Sequence, residues 1–381
     1  MKTLVIGAGV LGLATAWNLK NDGHEVTIVD KVGKYAGASR RSFAWINANH
    51  KLPEAYHRLN AAGVEAHEKL QAKLSEHGTW FHQSGCILSD SSSNAPENYA
   101  ARVQESQDFG YPVESVDRSR LRDLEPEIRW PADTALFFPK DGHLDNFTFG
   151  DLMHDLLAKA GVDVLVREVK NVATSSSDAE VAFADGGIET FDQVVIAAGA
   201  ESSPIAQRSG LTLPVASLDS PGPRTHSLLG ITSPTEVGLS RVIISDRINV
   251  RPRSDGSMFV QVPPVEHRTE DGESPELLEE IRQVMEESLQ ELFETAIPVA
   301  KVIFSGRSFP EDGLSIVGYL DDAHRIYSLV THSGMTLAPL LGRLVANELA
   351  GHTEELLQEF RPSRFVDGVN SSVPTDFIGR Q

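Results

Sequence analysis

The sequence predicts an α/β protein with a parallel-stranded part and a second, mostly antiparallel β-sheet part. Three observations carry this. Residues 1–30 alternate apolar strand, glycine-rich turn, helix and apolar strand. A second buried-strand pattern, Phe191-Asp192-Gln193-Val194-Val195-Ile196-Ala197-Ala198-Gly199-Ala200, ends in small residues. Between them and the C-terminus, 241–262 is rich in β-branched residues around the turn Ser254-Asp255-Gly256.

The first unit is the most informative. Leu4-Val5-Ile6 forms a short buried strand, Gly7-Ala8-Gly9-Val10-Leu11-Gly12 turns the chain, and a helix over 13–20 ends near Gly23. Glu25-Val26-Thr27-Ile28-Val29-Asp30 is the second, parallel strand. Each glycine has its own reason. Gly7 permits the tight turn, Gly9 lets backbone approach a pyrophosphate with no Cβ between, and Gly12 lets helix and strand pack closely. The helix N-terminus presents free N–H groups and partial positive charge to the phosphates. Asp30 closes the second strand, where a carboxylate accepts hydrogen bonds from ribose hydroxyls and repels a 2′-phosphate. The six-residue run alone also occurs as a turn without ligand, and it does not separate FAD from NAD.

Later segments choose between them. Gly37-Ala38-Ser39-Arg40-Arg41-Ser42 suits a loop running under a pyrophosphate toward a second ring system, although it also fits an exposed basic loop. Ala198 and Gly199 end their strand with room for a cofactor. Thr331-His332-Ser333-Gly334-Met335-Thr336-Leu337-Ala338-Pro339 leads into a helix through Leu349. Two amphipathic helices, over 53–77 and 276–293, complete the regular structure, the second with a solvated acidic face.

Composition sets the outer limits. The 381 residues carry a net charge of −20 with 40% hydrophobic content, a globular balance that disfavours nucleic acid and anionic membrane as partners. Cys86 is the only cysteine, so no internal disulfide forms and a reducing, cytoplasmic location is expected. Residues 1–19 superficially resemble a secretory signal, yet a polar turn and another strand follow, so the segment reads as part of the fold. No window is long and apolar enough for a membrane span. The histidines do not cluster with Cys or acids at ligand spacing, and no metal site is expected.

GAGVLG with Asp30, GASRRS, Leu124-Glu125-Pro126-Glu127 and Asp141-Gly142-His143-Leu144-Asp145 occur in order along the chain. Gly161-Val162 with Val164 and Val169, FDQVVIAAGA, and Arg251-Pro252-Arg253-Ser254-Asp255-Gly256 follow. Gly306-Arg307, Asp312-Gly313-Leu314-Ser315-Ile316-Val317-Gly318 and SGMTLAPLLGRLVANEL complete the set. In this order and spacing, over nearly its whole length, the chain resembles the FAD-dependent amine and D-amino-acid oxidoreductase family, which includes glycine oxidase, sarcosine oxidase and D-amino-acid dehydrogenase. The resemblance implies a Rossmann-like FAD-binding domain made of 1–78, 144–218 and 307–381, and a discontinuous, mostly antiparallel β-sheet substrate domain made of 79–143 and 219–306.

It also implies where FAD sits. Gly7, Gly9, Val10, Leu11 and Gly12 would face the pyrophosphate, with Asp30 and Lys31 at the adenosine ribose and Val169 against the adenine through its backbone. Ala38, Ser39, Arg41 and Ser42 would line the cofactor's middle, while Ala198, Gly199, Arg307, Ser333, Gly334, Met335 and Thr336 approach it from the later segments. The helix starting near Thr336 would point its N-terminus at the flavin pyrimidine, where charge builds on reduction. Sarcosine-oxidase-like members attach flavin to a Cys near the position of Ser305, so the serine implies non-covalent FAD.

The implied reaction is oxidation of the C–N bond of an amino acid or secondary amine, with hydride passing to flavin N5 and the imine then hydrolysing. Dioxygen or another acceptor takes the electrons. An arginine fork is the natural clamp for a substrate carboxylate. By the resemblance Arg307 holds that place, and Arg251 is the second candidate, on the strand over the site. Asn249 stands where related chains often carry a Tyr, which points to a different substrate. His332, just before Gly334, is a candidate for moving protons. Residues 257–262 contain no Lys, whereas sarcosine-oxidase-like members use one there to assist dioxygen. Trp45, Asn47, Asn49 and His50 follow the GASRRS loop and are placed to reach the flavin or the substrate. Two other functions fit the same motifs: a flavin-dependent 2-hydroxy-acid dehydrogenase, and a non-catalytic FAD-binding or electron-transfer subunit.

Overall fold

In the computed structural model, which describes residues 1–175 and 177–365, the N-terminal motif opens a six-stranded sheet. Its strands are ordered Ile316–Tyr319, Ile326–Val330, Gln193–Ile196, Lys2–Ile6, Glu25–Asp30 and Val164–Val166. All neighbours are parallel except the edge strand Ile316–Tyr319. Both faces of this sheet are covered, which is why its strands read as unbroken apolar runs. Val5, Ile28 and Val195 point into one core and Leu4, Ile6, Val29, Val194 and Ile196 into another, the period-two alternation of a pleated sheet. The second core is closed by a small antiparallel sheet of Val169–Thr174, Ala179–Phe183 and Ile188–Phe191.

Helices Val10–Asn21, Glu54–Lys73 and Gly334–Leu349 cover the other face. They approach closely because glycines stand at the crossings. A Cβ on Gly342 would lie 2.7 Å from the backbone of Ala14, and one on Gly63 would lie 2.8 Å from the Thr336 carbonyl oxygen. This packing fixes the start of the last helix over the nucleotide motif.

The second large sheet has eight strands, ordered Val299–Gly306, His226–Thr232, Met258–Gln261, Asn249–Pro252, Val242–Ser245, Cys86–Ser89, Thr134–Phe138 and Glu114–Asp117. Only the Val242–Ser245 and Cys86–Ser89 pair is parallel. Helix Pro275–Phe293 starts at Ser274, whose hydroxyl accepts the Leu277 N–H at 3.1 Å. Its apolar stripe, Leu277, Ile281, Met285 and Leu289, lies on this sheet. Gly230 makes room for it, since a Cβ there would stand 2.6 Å from the Met285 sulfur. A third sheet of Trp45–Ile46, Gly142–Leu144 and Phe81–His82 joins the two halves. Strands of the six-stranded sheet fall within 1–78, 144–218 and 307–381, and those of the eight-stranded sheet within 79–143 and 219–306; residues 366–381 lie outside the described residues.

The C-terminal turn is anchored by one buried carboxylate. Glu348 accepts the Tyr327 hydroxyl proton and both terminal nitrogens of Arg361. Arg361→Met leaves Glu348 buried without a counter-charge, at an expected cost of roughly 3 kcal/mol. The check is the thermal midpoint of the purified chain; no drop would mean that Glu348 finds another partner.

Candidate active site

A cavity of ≈ 330 Å³ runs along the C-terminal edge of the six-stranded sheet and on toward the eight-stranded one. Its first part is built by the glycine-rich turn. Gly7 has φ +107°, and a Cβ there would stand 2.4 Å from the Ala197 carbonyl oxygen. Gly12 is more constrained still, with a Cβ position 1.9 Å from the Gly7 oxygen. Gly12 therefore shapes the cavity without lining it, whereas Gly7, Gly9, Val10 and Leu11 do line it. The helix Val10–Asn21 has no acidic residue in its first turn. Val10 N–H donates to Ser39 Oγ at 3.0 Å, and the N–H groups of Leu11 and Gly12 have no acceptor among the described residues.

Asp30 sits at the end of its strand with a largely engaged carboxylate. Oδ2 accepts the Ala8 N–H at 2.9 Å, and Oδ1 accepts those of Val32 at 2.8 Å and Gly33 at 3.0 Å. Of the about four acceptor sites of a carboxylate, this leaves room for a ligand hydroxyl. Lys31 pairs with Glu201 at 2.9 Å across the cavity mouth. Val169 lines the same end, beside Asp30, because Arg167 N–H donates to the Asp30 carbonyl at 2.9 Å. Ala38, Ser39, Arg41, Ser42, Ala198 and Gly199 line the middle.

At the far end, Ser333, Gly334, Met335 and Thr336 contribute the start of helix Gly334–Leu349. The Ser333 hydroxyl bonds the Tyr56 hydroxyl at 2.7 Å rather than capping the helix. His332 also lines the cavity, its ring edge-on to Phe309 with centroids 5.0 Å apart. Arg307 closes this end with a side chain 17% exposed. Its guanidinium makes one hydrogen bond, to Glu266 Oε2 at 3.2 Å, and the rest of its donor fork is without a protein partner among the described residues. Glu266 is itself steadied by Ser227 Oγ at 3.3 Å and Leu228 N–H at 3.2 Å. Burial pulls the Arg307 guanidinium below its usual value, against the attraction of Glu266, and pushes the Glu266 carboxyl up.

Two sequence candidates are elsewhere. Arg251 is buried against Phe43, Phe259 and the Asn146 amide, donating to the carbonyls of Phe43 and Pro252. It bolts the 38–43 loop to the eight-stranded sheet and does not line the cavity, a correction to its expected role as second clamp. Asn249 likewise turns from the expected site, because its Oδ1 accepts the Ser245 N–H at 3.1 Å and closes the turn between two strands. Of the run after the GASRRS loop, Trp45 and Asn47 line the cavity; Asn49 bonds Asp141 at 2.7 Å and His50 meets Glu105 at 2.7 Å. Sequence reasoning missed Lys51, Ser227 and Gln261, which line the cavity, and Glu266, which holds Arg307. Lys51 directly follows the run singled out above, but nothing local marks the other three.

The site also tests whether a ligand belongs here. Asn47 Oδ1 and Ser308 Oγ are buried polar atoms in the cavity wall with no hydrogen-bond partner among the described residues. Open N–H groups at one helix start, an acid at the adjacent strand end and orphaned polar atoms beyond fit a long cofactor carrying phosphate, ribose and a polar ring. The fold and site thus define a dinucleotide-binding α/β enzyme with an arginine-walled chamber. The chain belongs to the FAD-dependent oxidoreductase family, whose model, described as FAD dependent oxidoreductase, matches residues 2–348. FAD is the cofactor of this family. The chain is 23% identical to a D-amino acid dehydrogenase of Rhizobium rhizogenes, over 93% of this chain and 97% of the relative. It is also 23% identical to one of Phenylobacterium zucineum, over 55% of this chain and 62% of the relative. Among solved structures, L-proline dehydrogenase from P. horikoshii superposes with a TM-score of 0.82 at 20% identity, over 96% of this chain and 97% of that one. Glycine oxidase from Geobacillus kaustophilus does so with 0.82 at 18%, over 96% and 99%.

Proposed function

We propose that the protein oxidises the C–N bond of an amino acid, primary or secondary at nitrogen. The observation that carries this is the Arg307 fork, held by Glu266 on one side and open to the cavity on the other. Held along Gly7, Gly9, Ser39, Gly199 and Gly334, FAD would supply the two-electron acceptor for the substrate's Cα hydride, so that the oxidised product is an imine that water hydrolyses. Arg307 binds the substrate carboxylate through two charge-assisted hydrogen bonds and so fixes the direction of the Cα–H bond. Glu266 keeps the fork in place. His332, in the same wall, is the group positioned to exchange protons with the substrate nitrogen. Gly334, Met335 and Thr336 turn the positive end of their helix to the chamber.

The names of the relatives support an amino-acid substrate: D-amino acid dehydrogenase, L-proline dehydrogenase and glycine oxidase. Cys86 is buried in the eight-stranded sheet and Ser305 lines the cavity instead, which supports non-covalent FAD. No helix among the described residues is long and apolar enough to cross a membrane. The single cysteine supports a reducing, cytoplasmic setting. The test is anaerobic mixing of the FAD-loaded protein with amino acids of both configurations, N-methyl amino acids and 2-hydroxy acids. Bleaching of the flavin by at least one amino acid is expected. Bleaching by hydroxy acids alone would replace this reading with a hydroxy-acid dehydrogenase, and none at all would leave an FAD-binding subunit. Reoxidation by air, compared with an artificial acceptor, identifies the electron acceptor.

A further inference from the structure

Lys51 lies between strand Trp45–Ile46 and helix Glu54–Lys73, and it lines the cavity. Its neighbourhood places it at the substrate end. The hydrogen bond from Tyr56 to Ser333 ties the segment that follows Lys51 to the loop before Gly334. The Phe309–His332 ring contact brings the segment that follows Arg307 to that same loop. Both cations line the same cavity, and both segments are tied to the loop before Gly334.

The ammonium of Lys51 makes no hydrogen bond or ion pair with any described residue. The Asp141 carboxylate attracts it through space. That carboxyl is already engaged by Tyr111 Oη at 2.6 Å, Asn49 Nδ2 at 2.7 Å and Trp45 Nε1 at 3.2 Å, and burial pushes it up to about 7. Arg102, whose Nη1 donates to Asn49 at 3.1 Å, adds positive charge on the same side. Burial, the largest influence on Lys51, pulls its ammonium down to about 8. Acids outnumber bases by twenty in this chain, yet none of the described ones is paired with Lys51. Lys51 is partly buried, and an ammonium drawn partly out of water and open toward a cavity gains its counter-ion from what enters. Asn47, on the same segment, adds a buried carbonyl oxygen with no donor among the described residues, suited to a ligand N–H.

We infer that Lys51 is the second anion-binding group of the substrate chamber, and that the substrate is an amino or imino acid bearing a second carboxylate. The assignment of Arg307 to the first carboxylate rests on the function proposed above. An amino dicarboxylate then meets the wall at three places: Arg307 for one carboxylate, Asn47 for an N–H, and Lys51 for the other carboxylate.

The test measures binding of glutarate and valerate, which have equal carbon counts and two or one carboxylates, to the oxidised FAD-loaded protein by the shift of its flavin spectrum. Glutarate is expected to bind about 10- to 100-fold more tightly, the range of one charged hydrogen-bonded contact. Lys51→Met should bring that ratio to within about threefold while leaving valerate unchanged. Equal binding in the wild type, or a ratio that survives Lys51→Met, overturns the inference. If Lys51→Met does not retain FAD, the wild-type rates of anaerobic flavin reduction by glutamate and glutamine decide, and a ratio of one or less overturns it. The two proposals fail separately. Glutarate bound through Lys51 with no amino acid reducing the flavin removes the oxidation reading alone. Rapid reduction by glycine or proline without any dicarboxylate preference removes the Lys51 assignment alone.

Discussion

Arg307→Ala lowers the second-order rate constant for flavin reduction by an amino acid roughly 10²- to 10³-fold, the equivalent of two charge-assisted hydrogen bonds lost together. The loss falls on substrate binding and on the orientation of the Cα–H bond, because the guanidinium holds the carboxylate that sets both. A matching amine without a carboxylate should therefore react equally with the wild type and the variant. Arg307→Lys separates charge from geometry. It keeps a cation beside Glu266, so the carboxylate that burial already pushes up is not left alone, but it cannot offer the planar fork. A loss of about tenfold is expected for it, between the wild type and the alanine variant. Stopped-flow reduction under anaerobic conditions, over a range of substrate concentrations, measures both. An alanine variant reduced by carboxylate substrates at the wild-type rate would remove Arg307 from the site.

Gly9→Ala tests the other end of the cavity. Gly9 has φ −76° and ψ −178°, a backbone that alanine adopts freely. The new Cβ would meet only Ser39 Oγ, at 3.2 Å, so the apo chain should melt close to the wild type. The same methyl group stands before the open first turn of helix Val10–Asn21, where the pyrophosphate is proposed to lie. FAD affinity should fall by about 10- to 100-fold, the cost of overpacking a tight contact. Gly12→Ala is the contrasting variant. Its Cβ would stand 1.9 Å from the Gly7 oxygen, so it should lower the apo melting temperature as well as FAD content. FAD titration and thermal melting of the two apo variants distinguish these cases. Wild-type FAD affinity in Gly9→Ala would mean the pyrophosphate lies elsewhere.

The two ends of the cavity differ in how far they can be read along the chain. The nucleotide cradle depends on contacts within one strand–turn–helix–strand unit. Gly7, Gly9, Gly12 and Asp30 are all within 24 positions, and the Ala8–Asp30 hydrogen bond spans 22. Such spacing is dictated by the geometry of the unit itself, so the residue types suffice. Even the start of the last helix was legible, because a serine–glycine turn followed by an apolar run sets a helix boundary locally.

The substrate end is different. Arg251 and Arg307 are the same residue type, each at the end of a strand in one sheet, and nothing near either in the chain tells them apart. Arg251 is drawn to the Phe43 carbonyl, 208 positions away, and becomes a bolt between loop and sheet. Arg307 meets Glu266 across 41 positions and keeps its remaining donors toward the chamber. Lys51 stands open because Asp141, 90 positions later in the chain, is already held by Trp45, Asn49 and Tyr111. Residue order alone was enough for the α/β class and the phosphate cradle, whose chemistry is carried by backbone and local turns. Long-range packing chose the cations that face the substrate, because a side chain's direction and its partner are set by which distant strands and helices lie against it.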